Sequence, residues 1–522
     1  MIESTRSFLE DRGLIQWCRS LFLVYVFLIV LFYLFFSTGL HSDEYTEILR
    51  FKKMDAPTFF SLDPKVKGIY IFGLPAFYIL WWVYAIAGDG YQLIYDTLKY
   101  LCHVASILFV YKFFTDYMEQ RKALLAASFF ILFPIHDTTT YWYLTVPYVL
   151  TPALIMYAHH WIKRDRYILC VLFMFLGSFF HYSSPPYVFG LALILGVERS
   201  YKKALIFSAP GFAYVLYYLV IGRMYPFAER RIHEGITVSQ YVKNYLLQIG
   251  SSIDALIGPS AWLKIYYSIE SIGVLSLVLC LSVLVIVWFT MRSSKVTNVN
   301  WPLFAGLVSV LLFSYAMFSL TGWYTQTAFN LGNRVTVYGS LLLAYLLVLP
   351  VFNKRMFLLQ ALVFFLPVFG LSDYWKSWND HQMSVMQNIK SNQELALLED
   401  GDILLITGNI FSRLGPFSHI ELFIMPWTVN SIFHEITPSR HVMAITSNVY
   451  IKEDRLIDPQ FGRSVLVKKL MYLYDSERNV VSVITPIELE GIMEKRPREI
   501  WHWVQLLDKQ SRIRRFISTI VK

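Results

Sequence analysis

The feature that most limits the fold of this chain is a series of long apolar runs. The first, 21-LFLVYVFLIVLFYLFFSTGL-40, carries no charge and is long enough to cross about 30 Å of hydrocarbon as a helix. Lipid offers no hydrogen bonds to the backbone, so such runs must be helical. Twelve of them lie near residues 19–38, 69–88, 92–115, 123–135, 143–160, 167–181, 186–198, 204–222, 271–291, 300–321, 336–350 and 356–372. The sequence therefore predicts an all-α polytopic membrane protein.

Composition agrees with this class of protein. Only 16% of the residues are charged, whereas soluble domains carry about 25%. The net charge of +9 could suggest nucleic-acid binding, but most basic residues lie in short loops between the apolar runs, as in membrane proteins. The four cysteines lie in or beside those runs, so neither a disulfide framework nor a cysteine-based metal site is expected.

The loop charges predict the topology. Every second loop is basic, which predicts that these loops are cytoplasmic: 119-EQRK-122, 162-IKRDR-166, 198-ERSYKK-203, 291-MRSSK-295 and 353-NKR-355. With the N-terminus inside, however, twelve crossings would place these basic loops outside. We therefore expect residues 69–88, which contain Pro75, to be re-entrant or peripheral. About eleven crossings then remain, within a possible range of eleven to thirteen. The alternative, an outer N-terminus, is favoured by the basic residues between Arg50 and Lys67.

Two regions are predicted along the chain. Residues 1–372 form the transmembrane region, and residues 373–522 have the composition of a soluble domain. The runs 402-DILLITG-408 and 479-NVVSVITP-486 predict buried strands, and residues 488–507 predict a helix broken near Pro497. We expect a small C-terminal α/β domain outside the cytoplasm, on the same side of the membrane as Asp43.

Three groups of polar residues at predicted outer helix ends are candidates for chemistry. Asp43 and Glu44 follow the first helix, where a carboxylate can act as a general base or bind a metal; hydration of a wet loop explains them equally well. His136 and Asp137 end another helix, and helix capping is the alternative there. His181 and Tyr182 precede a Pro-Pro break that can line a cavity, although packing alone also explains it.

Basic residues on the same predicted side could bind a lipid phosphate. The candidates are Lys52, Lys53, Arg223, Arg230, Arg231 and Arg334. Arg223 and Arg334 lie at helix ends, where interfacial anchoring is the alternative role.

This layout resembles the GT-C superfamily of integral-membrane glycosyltransferases, which includes protein mannosyltransferases, aminoarabinose transferases and O-antigen glucosylating enzymes. The residues that carry the resemblance are the acidic pair 43-DE-44 after the first helix, the segment 55–88 where juxtamembrane helices occur, the basic turn 119-EQRK-122, Asp137 in a second outer loop, and the soluble end of the chain. The "PPL" motif typical of the family is absent, and 63-DPKVKGIYIFGLP-75 is only loosely similar.

The resemblance implies a function. A sugar would move from a polyprenyl-phosphate donor to a glycan, lipid or protein acceptor, with inversion, at the outer face of a bacterial plasma membrane. Asp43 would be the general base, with Glu44 and Asp137 as further acidic residues of the site. No cofactor is expected, although Mg²⁺ or Mn²⁺ stays possible, and nucleic acid is not an expected partner. A flippase of lipid-linked sugars, a polysaccharide polymerase and an acyltransferase remain alternatives; His103, His159 and His160 keep the last of these open.

Overall fold

The computed structural model describes residues 22–52, 82–83, 85–86, 91–224, 232, 235–290, 298–321, 325–351, 353–399 and 402–436, and, with gaps of up to four residues, 443–492 and 501–521. Within these residues the chain is mostly helical. Six helices are long and apolar enough to cross a membrane, or seven if one bent pair counts as a single span. The prediction of a polytopic helical membrane protein is therefore supported at this coarser level. The predicted segment 69–88 lies almost wholly outside the described residues.

The helices follow the apolar runs closely, because those runs are the segments that lipid and protein can bury. The longest is Lys354–Ser391, which continues without a break through residues 372–373. The main helices are Phe22–Phe35, Asp43–Lys52, Tyr91–Phe114, Gln120–Ile131, Asp137–Tyr141, Pro147–Lys163, Tyr167–Phe180, Ser184–Val197, Tyr201–Met224, Val238–Leu256, Pro259–Glu270, Val274–Thr290, Trp301–Ser319, Val337–Val348 and Lys354–Ser391.

The bundle has two polar ends that differ in chemistry. At one end, Asp116 Oδ1 accepts a hydrogen bond from Arg164 at 2.8 Å, and Asp116 Oδ2 lies 3.1 Å from Nδ1 of His160. Lys163 and Glu198 form an ion pair of 2.9 Å in the same region. Three of the predicted cytoplasmic loops supply or flank these residues, so the basic loops do gather at one end.

A small sheet follows the long helix. Its strand order is β4 (Met443–Thr446), β1 (Ile403–Thr407), β8 (Met471–Asp475) and β9 (Val480–Ile484). Strands β1, β4 and β8 are parallel and β9 is antiparallel to β8. The helix Pro426–Ile436 leads into β4 and packs on the sheet through Val429, Ile432 and Phe433. Both predicted strands form, as β1 and β9, and β1 is buried as predicted. The predicted burial of β9 is wrong, because β9 is an edge strand with Val480 and Val483 exposed.

A second, three-stranded antiparallel sheet lies between β4 and β8 in the sequence. It consists of β5 (Tyr450–Lys452), β6 (Arg455–Asp458) and β7 (Arg463–Leu466). Short helices complete the chain; they are Gln393–Ala396, Pro486–Ile492, the 3₁₀ turn His502–Leu506, and Arg512–Val521.

A β-hairpin joins the C-terminal region to the transmembrane bundle. Its strands are β2 (Phe411–Leu414) and β3 (Phe417–Glu421). Leu414, Phe417 and Ile420 are buried in the same hydrophobic cluster as the transmembrane helices. Apolar side chains on the hairpin therefore bind it into the bundle, and the polar residues that follow are held at the bundle's end.

Gly415 lies in the turn of this hairpin, and its substitution would test how closely the hairpin packs against the bundle. Its φ is +60°, and a Cβ atom there would overlap the ring of Tyr267. We expect Gly415→Ala to lower the free energy of unfolding by about 1–2 kcal/mol for the backbone and by a further 1–3 kcal/mol for the steric overlap. Thermal unfolding of the purified protein measures the sum.

Gly235 provides the matched control, because its φ is +79° but nothing lies within 4 Å of its Cβ position. Gly235→Ala should show the backbone effect alone. Equal destabilisation by the two substitutions would mean that the hairpin turn is not in close contact with Tyr267.

Candidate functional site

Five separate parts of the chain meet at the second polar end of the bundle. They are the residues after the first helix, the segment 134–148, the break at 181–184, the 3₁₀ turn Leu331–Thr336, and residues 417–427 of the C-terminal region. Hydrogen bonds link these parts, so the end is a single polar assembly. Within it the predicted residues fall into two environments, one partly accessible and one fully buried.

Asp43 belongs to the accessible environment. It is the first residue of the helix Asp43–Lys52 and is half-buried. A carboxylate at this position is favoured by the unpaired N–H groups of the first helical turn. The indole Nε1–H of Trp427 donates a hydrogen bond of 2.6 Å to Asp43 Oδ1. Trp427 belongs to the C-terminal region, so that region and Asp43 lie at the same end of the bundle.

Arg334 lies close to Asp43. Its guanidinium is within electrostatic range of the carboxylates of Asp43 and Glu421. It also lies over the ring of Tyr148, with 5.9 Å between Cζ and the ring centroid. The cation thus lies within range of two acids and beside an aromatic face, so the protein itself partly balances its charge.

Tyrosine and histidine side chains line the next part of this cluster. The hydroxyl groups of Tyr148 and Tyr182 are hydrogen-bonded to each other. The ring of His181 lies 4.7 Å from that of Tyr148 and 4.2 Å from that of Tyr182, between centroids. His181 Nδ1 is hydrogen-bonded to the hydroxyl of Ser183 at 2.8 Å. The structure therefore brings together Asp43, His181, Tyr182 and Arg334, which the sequence analysis singled out from distant segments.

Glu44, the neighbour of Asp43, is buried instead. Its two carboxyl oxygens accept backbone N–H bonds from His41 at 2.6 Å and from Leu144 at 3.0 Å. Burial raises the pKa of Glu44 to about 8, and the backbone hydrogen bonds and Lys99 offset only part of that effect. At neutral pH Glu44 is therefore mostly protonated, and it adds little negative charge beside Asp43.

This pKa predicts a pH dependence of stability. The folded protein holds a proton on Glu44 that the unfolded chain releases near pH 4.5, so this contribution is complete below pH 4.5 and is lost as pH rises through about 8. We expect the unfolding temperature of the wild type to fall over that window more steeply than that of Glu44→Gln. Parallel pH profiles for the two proteins would contradict the raised pKa.

His136 and Asp137 lie in the interior. Both ring nitrogens of His136 are hydrogen-bonded, to Thr139 Oγ1 at 2.7 Å and to the carbonyl of Phe130 at 2.9 Å. His136 is fully buried, so its contacts are those of a packed core residue rather than of a ligand-binding group. The carboxylate of Asp137 does not have the capping role considered for it either, because it accepts hydrogen bonds from four other side chains.

The four donors to Asp137 come from distant parts of the chain. Oδ1 accepts from Lys264 at 2.6 Å and from Asn333 at 2.6 Å, and Oδ2 accepts from Trp375 at 2.7 Å and from His419 at 2.7 Å. Each carboxylate oxygen thus has two donors, which fills its acceptor capacity. This geometry argues against a catalytic role for Asp137 and indicates that it holds the assembly together.

His419 shows how the C-terminal hairpin is fixed to this network. Its Nδ1 accepts the backbone N–H of Asn330 at 3.0 Å, so the proton lies on Nε2 and is donated to Asp137. Burial lowers the pKa of His419, which keeps the ring neutral. The network therefore contains one ion pair, between Asp137 and Lys264, and neutral donors around it.

The remaining predicted cations are dispersed. Lys52 is exposed and lies nine residues after Asp43, which is about 13 Å along the helix axis. Arg223 is exposed in the last turn of Tyr201–Met224. Lys53 lies outside the described residues. Arg230 and Arg231 also lie outside the described residues. Of the six predicted cations, only Arg334 is seen in the cluster with Asp43.

Sequence reasoning missed several residues of the assembly. Trp427 and Glu421 lie in the C-terminal region, where nothing in the sequence indicated that they would reach the first loop. Lys264 is the one cation within the helix Pro259–Glu270 and could have been noticed as such. Among the described residues there is no group of three or more His, Cys, Asp or Glu side chains that could hold a metal ion.

Comparison with known proteins adds no assignment. The chain matches no family model, no curated protein and no solved structure.

Proposed function

We propose that this protein is an integral-membrane glycosyltransferase of the GT-C type, which moves a sugar from a polyprenyl-phosphate donor to a glycan, lipid or protein acceptor. The observation that carries the proposal is that Asp43 and Arg334 lie within electrostatic range of each other. A proton acceptor and a phosphate-binding cation lie in one cluster at the end of a membrane bundle. Transfer from a lipid phosphate needs both groups at this depth.

The proposed chemistry assigns a role to each group. Asp43 takes the proton from the acceptor hydroxyl while that oxygen attacks the anomeric carbon, and the bond from that carbon to the phosphate oxygen breaks with inversion. Arg334 balances the negative charge that develops on the leaving lipid phosphate. Tyr148 and Tyr182 offer hydroxyl donors and an aromatic face to the phosphate and the sugar. Trp427 orients the carboxylate of Asp43.

The proposal includes the topology. We propose that three shorter apolar helices, Phe22–Phe35, Tyr167–Phe180 and Ser184–Val197, cross the membrane together with the six or seven longer spans, which gives nine or ten crossings. A 14-residue helix is about 21 Å long, which spans most of the hydrocarbon. The cluster around Asp43 would then face the outside of a bacterial plasma membrane.

The direct test uses the purified protein in lipid nanodiscs with a panel of labelled polyprenyl-phosphate sugars and lipid-linked glycans. A new glycosidic product supports the proposal, and repeating the reaction with a chelator measures metal dependence. Movement of intact donor across proteoliposomes without a new glycosidic bond would identify a flippase instead.

Donor binding tests the role of Arg334 separately from chemistry. Arg334→Gln removes a charged hydrogen-bond donor, so the affinity for polyprenyl phosphate should fall roughly 10- to 100-fold. Native mass spectrometry of the protein with added polyprenyl phosphate measures it. Arg223→Gln is the matched control, because it removes an exposed cation at another helix end. Equal affinity for wild type and Arg334→Gln would exclude Arg334 as the phosphate ligand.

A further inference from the structure

The segment before residue 271 presents an apolar face that the proposed function does not use. The helices Val238–Leu256 and Pro259–Glu270 follow one another with only two residues between them. Their exposed apolar residues fall mainly at helical spacing along one stripe: Val238, Val242, Leu246, Ile253, Ile257, Trp262 and Tyr266. Such a helix, apolar on the exposed side and rich in aromatic residues at one end, is typical of a membrane interface.

The angle of this segment supports an interfacial position. It is bent by 110° from the following apolar helix, Val274–Ile286. The bend is fixed by Asp373, which accepts from the backbone of Gly273 at 2.7 Å and from Ser276 at 2.6 Å. When the apolar helix crosses the membrane, a bend of this size places residues 238–270 close to the membrane plane. Tyr33, near the end of the first helix, is hydrogen-bonded to Ser276 at 2.8 Å, so this is the end that carries Asp43.

The last part of the chain is attached to this in-plane segment. The ring of Trp501 lies against Gly250, and the ring of His502 lies 4.8 Å from that of Phe329. Arg514 then donates to the carbonyl of Leu507 at 2.8 Å, which holds the C-terminal helix against the preceding turn. The helix Arg512–Val521 is therefore kept near the same surface.

This C-terminal helix is basic and amphipathic. Residues 509–522 contain five basic residues and no acidic one. Ile513 and Phe516, three residues apart, are both exposed, at 55% and 68%. Arg512 and Arg515 are exposed on the same short helix. Exposed apolar side chains flanked by arginines match the headgroup region of a bilayer that contains anionic lipid.

We propose that the helix Arg512–Val521 binds anionic lipid headgroups at the membrane surface, beside the in-plane helix Val238–Leu256. Ile513 and Phe516 enter the boundary between headgroups and acyl chains, and Arg512 and Arg515 pair with the lipid phosphates. The bilayer is the committed partner, because the chain already spans it and the charge of the helix is complementary to it. This inference does not depend on the proposed glycosyl transfer.

Hydrogen–deuterium exchange of the full-length protein tests the proposal. The protein is placed in nanodiscs of phosphatidylcholine alone or of phosphatidylcholine mixed with phosphatidylglycerol, and the peptide covering residues 512–521 is followed. We expect slower exchange in the anionic discs. The double variant Arg512→Gln/Arg515→Gln should lose up to roughly 30-fold of that added protection, since each arginine near an anionic surface contributes about 1 kcal/mol, or roughly fivefold.

The matched control is Arg478→Gln, which removes an exposed cation from the β8–β9 turn and should leave the protection of residues 512–521 unchanged. Protection of β1 serves as the internal check that each variant is folded. Equal exchange in neutral and anionic discs would overturn the proposal. So would protection in anionic discs that survives the loss of both arginines.

Discussion

The Asp43→Asn variant should lose sugar transfer by roughly 10²–10⁴-fold while donor affinity and stability stay close to the wild type. Asparagine keeps the shape of the side chain and can still accept the hydrogen bond from Trp427, which is 2.6 Å long in the wild type. It cannot take a proton from the acceptor. The measurement is the transfer rate at saturating donor, together with polyprenyl-phosphate binding and thermal unfolding.

Glu47→Gln is the control for this variant. Glu47 lies one turn further along the same helix and pairs with Arg50 at 2.8 Å, so its substitution removes a neighbouring acid without touching Trp427. We expect nearly normal transfer from Glu47→Gln. If Asp43→Asn also keeps normal transfer, 43-DE-44 is only a hydrated loop and the assignment of Asp43 as the catalytic base is wrong.

The second large effect should come from the buried network around Asp137. Asp137→Asn leaves Lys264 buried without its ion-pair partner, and we expect a loss of about 3–5 kcal/mol in the free energy of unfolding. Lys264→Met should cost a similar amount, because it leaves the carboxylate short of a charged donor. Thermal unfolding in matched detergent measures both variants.

The double variant Asp137→Asn/Lys264→Met separates a structural role from a catalytic one. It removes both members of the ion pair, so it should be more stable than the sum of the single losses indicates. If Asp137 only holds the assembly together, transfer activity should return in step with the recovered stability. A stable double variant with no transfer would instead give Asp137 a direct part in the reaction.

Much of the fold could be predicted because it depends on local patterns. The apolar runs predicted most of the helices, and the runs at 402–408 and 479–486 predicted β1 and β9, since a short β-branched run between Gly or Pro boundaries is visible in a short window. The length of the helix Lys354–Ser391 was not predicted. Its second half is polar, and its contacts with the C-terminal region, such as those of Val385 and Ile389, are long-range.

The candidate site was predicted only in part, because it also depends on long-range contacts. Asp43, His181, Tyr182 and Arg334 could be selected as polar residues at helix ends, and the structure groups them. The difference between Asp43 and Glu44 could not be predicted, because it depends on the backbone N–H of Leu144, which lies 100 residues away. The burial of Asp137 depends in the same way on donors from four later segments.

The donors to Asp137 also have a consequence for the order in which the protein is made. The carboxylate leaves the ribosome first, and its partners follow at separations of 127, 196, 238 and 282 residues. Until residue 419 has been synthesised, the acid lacks the imidazole that completes its coordination. Contacts of such long sequence separation form late in folding. The nascent chain therefore carries Asp137 without its full set of hydrogen-bond donors through most of membrane insertion. The end of the bundle that holds Asp43 is completed only after the last membrane helix is in place.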